Sequence, residues 1–212
     1  CNKRTVCVQP VFIGTGADNA NKTGGSLADL KTKAEAVWSK CCVEIDWKDP
    51  VYVNNNAYKT LKKKASGDAY EDFRSLLKER DEKGTDDCIE VFFVSNIQDS
   101  AGANHDDGDG DTFGSGTRGA KIIVADGAIT GCNPKADGVL AHELGHAMGR
   151  CNHPSDKAAA AGTCMEPTGN APPNCPGVNT SLVKEVQCGK VSKGPLVKEK
   201  DPKTPCCRNP DT

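Results

Sequence analysis

Apolar and polar positions follow two rhythms along the first two thirds of the chain, and the last third keeps neither. Residues 6–13 form an apolar, β-rich run ended by Gly14-Thr15-Gly16, which predicts a first strand. Leu27, Leu30, Ala34, Val37, Trp38 and Cys41 then recur at three- and four-residue steps, the period of one helix face. Ser26, with Asp29 three residues on, predicts the capped start of that helix. Residues 43–53 read as strand interrupted by Asp49-Pro50, and Tyr70, Phe73, Leu76 and Leu77 mark a second amphipathic helix between Gly67 and Gly84. Residues 88–94 and 120–125 are short apolar runs, each predicting a strand. The second follows a stretch rich in Gly and Asp and is flanked by glycine, so it is expected at the edge of the sheet. A third helix is expected to start near Asp137, which can cap it, and to carry Leu140, Leu144 and Met148 inward as far as Gly149.

After Gly149 the composition changes. Eight of the twelve prolines lie from Pro167 to Pro210, with five cysteines from Cys164 onward. A single short helix is expected over 181–188, with Leu182, Val183 and Val186 inward. The pattern predicts an α+β protein of one domain in two lobes: a βαβ-type lobe over residues 1–149 and a small, irregular, disulfide-rich lobe over 150–212.

Composition narrows the class. Leu, Ile, Val and Phe make up only about a sixth of the 212 residues, yet the net charge is −2, so the charge half of the disorder signature is missing. Twelve cysteines are far more than a reduced cytosolic protein carries, and they predict a secreted, globular chain in which disulfides supplement a lean core. No apolar run approaches the ~18 residues needed to span a bilayer, and the near-neutral charge without a basic block excludes nucleic acid as the expected partner. No charged-then-apolar leader is present, so a removed signal or pro-segment is expected. Cys1 reads as half of a disulfide rather than an acylated cysteine, because twelve cysteines pair completely and eleven do not. Asn21-Lys22-Thr23 and Asn179-Thr180-Ser181 fit the N-glycosylation acceptor pattern.

The strongest chemical signal is His142-Glu143-Leu144-Gly145-His146. Two histidines four apart on a helix face the same way, so both imidazoles can reach one zinc ion. Glu143, beside the first, is placed to act as general base for a water in the metal's open position. Random placement of the four histidines and ten glutamates produces this arrangement roughly 0.004 times per chain of this length. The helix also has a buried side in Leu140, Leu144 and Met148, which a solvated surface helix would lack.

The residues that follow extend the motif. Gly149 lies three positions after His146, where it can turn the chain, and Cys164-Met165-Glu166-Pro167 comes downstream. Here the sequence resembles the metzincin clan of zinc endopeptidases, whose pattern adds to this helix a glycine, a third histidine and a methionine turn. The resemblance spans nearly the whole chain and implies a twisted, mostly parallel sheet with two long helices in the N-terminal lobe, and one helix in the C-terminal lobe. It implies a zinc-dependent endopeptidase, monomeric, acting on extended protein or peptide substrates, with Met165 as the turn methionine. In such enzymes the edge strand pairs with the substrate.

The third ligand departs from the clan's spacing. The expected position is Asn152, and the histidine comes one residue later, at His153. Imidazole is the better zinc ligand, and His153-Pro154-Ser155-Asp156 resembles the serralysin-like third-ligand segment, so His153 is the expected ligand and Asn152 the alternative. Pro167 occupies the place where several clan members carry a metal-side tyrosine. Cys151 and Cys164 flank this loop and are expected to pair with each other. Alternating Asp107, Asp109 and Asp111 raise a calcium ion as a second cofactor against a simple solvated loop; Thr112 and Arg118 exclude an EF-hand. The rival to the enzyme is a catalytically silent zinc-binding module of the same fold that binds a protein partner.

Overall fold

A computed structural model describes residues 3–14, 24–65, 70–81, 88–102, 110–113, 120–125, 134–149 and 197–199. Its strands are β1 (Arg4–Ile13), β2 (Val43–Trp47), β3 (Val51–Val53), β4 (Thr60–Lys62), β5 (Ile89–Val94), β6 (Asn96–Gln98), β7 (Gly110–Phe113), β8 (Lys121–Ala125) and β9 (Val197–Glu199). Its helices are α1 (Gly24–Ser39), α2 (Phe73–Asp81) and α3 (Pro134–Gly149), with a 3-10 turn at Asn56–Tyr58.

The main sheet runs β2-β1-β5-β8-β7, with β3 and β9 also paired to β1. β1, β2, β3, β5 and β8 are parallel; β7 and β9 are antiparallel to their neighbours. The expected mostly parallel sheet is therefore present. Its central strands are apolar at nearly every position because both faces are covered. On β1, β5 and β8 one face supplies Val6, Val8, Phe12, Ile89, Val91, Phe93, Ile122 and Val124 to a core shared with α1 and α3. The other face supplies Val11, Ile13, Phe92, Val94, Ile123 and Ala125 to a second core containing Leu76 of α2 and Tyr70. Successive side chains on a strand point to opposite faces, which divides one apolar run between two cores.

The helix signals map closely, except that Tyr70 lies before α2, in a bridge to Lys63. Leu30, Ala34, Val37, Trp38 and Cys41 are all buried, as their spacing predicts. α1 begins at Gly24, so Ser26 lies within the first turn rather than capping it. α1 closes with Cys41 N–H donating to the Trp38 carbonyl and Cys42 N–H to that of Ser39. Cys42 takes φ 60°, the left-handed conformation that ends many helices and that glycine usually supplies. α3 starts at Pro134 rather than near Asp137. Proline suits a first helical turn because no N–H is needed there.

Covalent and ionic links reinforce this arrangement. Cys7 of β1 and Cys88, just before β5, form a disulfide with Cα atoms 4.6 Å apart. Cys41 and Cys42 are each disulfide-bonded as well, so every cysteine among the described residues is oxidised. On the α2 face, Arg80 pairs with Glu90 of β5 at 2.6 Å, and Lys121 of β8 pairs with the other oxygen of Glu90. No helix among the described residues is long and apolar enough to cross a membrane.

Two expectations on strand position change. Residues 121–125 form β8, an interior strand between β5 and β7, and the edge is β7, drawn from the acidic stretch before it. Gly110 and Asp111 thus belong to a strand, with Asp111 in register with Ile123; Asp107 and Asp109 lie outside the described residues. β9, from the segment read as a separate lobe, joins β1 of the N-terminal sheet, with Val6 opposite Val197. The short helix expected over 181–188 lies outside the described residues.

Candidate metal centre

α3 carries the motif, and its buried residues fix how it is presented. At about 100° per residue, Leu140, Ala141, Leu144, Ala147 and Met148 form one face, and His142 and His146 fall on the side opposite. The first set is buried in the core shared with α1 and the sheet. Packing that face therefore turns both histidines away from the core. His142 and Glu143 are nonetheless only 6% exposed, and His146 is half-buried, so the site is a covered one.

The two imidazoles meet edge to face, with ring centroids 4.6 Å apart and planes at 84°. Their Nε2 atoms lie 3.0 Å from each other. Two nitrogen ligands on one tetrahedral zinc sit about 3.3 Å apart, given bonds of ~2.0–2.1 Å. The pair thus has nearly the separation a shared zinc requires, with the same ring atom of each residue directed to one place. Without a metal, the same contact is an N–H···N hydrogen bond, one nitrogen donating and the other accepting. Glu143 lies between the two histidines in the same turn of α3 and is 6% exposed.

α3 is seated by α1 and lies against β7 and β8. Trp38, fully buried on α1, donates its indole N–H to the carbonyl of Ala141, 3.0 Å away and immediately before His142. A buried indole N–H needs an acceptor, but the sequence pattern places Trp38 only in the core, because a backbone carbonyl acceptor leaves no mark in the sequence. β7, the edge strand beside α3, was also missed.

Of the remaining expected site residues, Asn152, His153, Met165, Cys151 and Cys164 lie outside the described residues. Among the described residues no group of three His, Cys, Asp or Glu side chains gathers as a complete metal site. No family model matches the chain, and no curated protein is significantly similar to it.

Proposed function

We propose that the chain is a secreted zinc-dependent endopeptidase resembling the metzincins. The observation that carries this reading is the 3.0 Å approach of the His142 and His146 Nε2 atoms, with Glu143 buried in the same turn. The histidine pair fits a zinc ion; His153, or Asn152 in its place, is the proposed third ligand, and Met165 the proposed turn methionine. When bound, zinc supplies a Lewis acid for the peptide carbonyl and makes water acidic enough to attack at neutral pH. Glu143 accepts the proton of the attacking water and returns it to the leaving amine nitrogen, which needs only one carboxylate oxygen within reach of both.

The outer edge of β7 supports a peptide substrate. Among the described strands it has no further neighbour, so its outward N–H and C=O groups can pair with an extended chain beside α3. The disulfides at Cys7–Cys88, Cys41 and Cys42 support an oxidising, extracellular setting.

Casein digestion tests the reading. The wild-type chain should cut it, a chelator should stop the reaction, and zinc should restore it. Bound zinc without cleavage of any peptide in a library would instead identify the silent binding module.

A further inference from the structure

We infer that Trp38 is the positioning residue of the metal centre, setting through its indole N–H how α3 rests on α1 and hence where both histidines aim. The inference depends on the zinc reading and adds to it a residue from another helix, more than a hundred positions earlier.

Four observations carry it. Trp38 is fully buried, and its one polar group makes one bond, to the Ala141 carbonyl at 3.0 Å. A carbonyl oxygen has two lone pairs, so Ala141 can serve its helix partner, the N–H of Gly145, and the indole together. Ala141 directly precedes His142, so any slide or rotation of α3 that moves the imidazole also stretches this bond. Finally, Ala141 and Gly145, one turn apart on α3, carry nothing larger than a methyl group, which lets an indole reach the helix backbone between them.

The base of the indole is itself fixed. Trp38 is the penultimate residue of α1, its carbonyl accepts the N–H of Cys41, and Cys41 and Cys42 beyond it are disulfide-bonded. The hydrogen bond is thus made from an anchored helix end to the turn that holds the ligands. Apolar packing alone holds two helices together but tolerates small slides along their ridges. A directional bond to one carbonyl does not.

The test is Trp38→Phe in the full chain, which keeps a ring in the core and removes the N–H. The variant should bind Zn2+ about tenfold more weakly than wild type, the lower end of what loss of a ligand-supporting contact costs. Its Co2+-loaded visible spectrum should shift as the ligand geometry relaxes. A variant that loses stability yet keeps wild-type Zn2+ affinity and Co2+ spectrum would show a merely structural tryptophan and overturn the inference. Should Trp38→Phe fail to fold, hydrogen exchange of the wild-type Trp38 indole N–H decides instead. Coupling between sites is reciprocal, so Zn2+ should slow that exchange about tenfold; an unchanged rate overturns the inference. Wild-type protein that takes up no Zn2+ overturns the zinc reading itself, a result separate from either of these.

Discussion

Arg80, near the end of α2, holds its Nη2 2.6 Å from Oε1 of Glu90 in β5, and both side chains are buried. The contact is one of charge more than of aligned hydrogen bonds, since no guanidinium nitrogen of Arg80 finds a well-directed acceptor among the described residues. Lys121 approaches the second oxygen of Glu90 from the neighbouring strand. A single carboxylate therefore compensates two cations between the sheet and α2.

Removing that carboxylate leaves Arg80 buried and uncompensated. Glu90→Gln should destabilise the fold by about 3 kcal/mol, the range for unpairing a buried ion. Urea unfolding measures it. Adding Arg80→Met should recover more than half of the loss, because the uncompensated charge is then gone; additive losses would show that the two residues do not act as a pair.

The Cys7–Cys88 disulfide closes a loop with a sequence separation of 81. In the chain-entropy model a loop of that size stabilises by about 4.5 kcal/mol. Cys7→Ser with Cys88→Ser should lower the urea midpoint accordingly while leaving the far-ultraviolet dichroism of the folded chain unchanged.

Much of this arrangement is legible in the sequence, and the exceptions share a cause. Leu30, Ala34, Val37 and Trp38 announce α1 because a buried helix face repeats every three to four residues over several turns. Ile89 to Val94 announces a strand covered on both faces by being apolar throughout. β4 and β6 have three residues each, with Leu61 and Ile97 as their only buried apolar side chains, and no period can be read from one residue. β7 lies in a run of Gly and Asp whose composition reads as loop, and its strand character comes from pairing with β8. β9 gains its partner from residues almost two hundred positions earlier. At the site, the spacing of His142, Glu143 and His146 was sufficient to bring the two imidazoles together. The bond from Trp38 was not readable, because its acceptor is a backbone carbonyl, which no side-chain pattern marks.

Tyr58 should ionise later than a free tyrosine. Burial raises its pKa from 10.0, and Glu79 and Asp72 nearby raise it further, with a hydrogen bond to Glu79 adding to the effect. The folded state then holds its proton longer than the unfolded chain does. This contribution to stability is complete below pH 10 and declines as pH rises through the folded-state pKa. Subtracting the ultraviolet titration of Tyr58→Phe from that of wild type should reveal a single late-ionising phenol; a midpoint at or below 10 would contradict the assignment.

Glu143→Ala separates binding from chemistry. The variant should keep its zinc, since the histidines are untouched, and lose at least about a thousandfold in casein cleavage, as removal of a general base predicts. Cleavage at the wild-type rate would remove Glu143 from the mechanism.

The central claim is that His142 and His146 close on one metal ion, and equilibrium dialysis against Zn2+ tests it most directly. Wild type should retain one zinc per chain, and His142→Ala or His146→Ala should each retain essentially none under the same conditions. Wild-type protein without bound zinc, or single variants that hold it as tightly as wild type, would contradict the account.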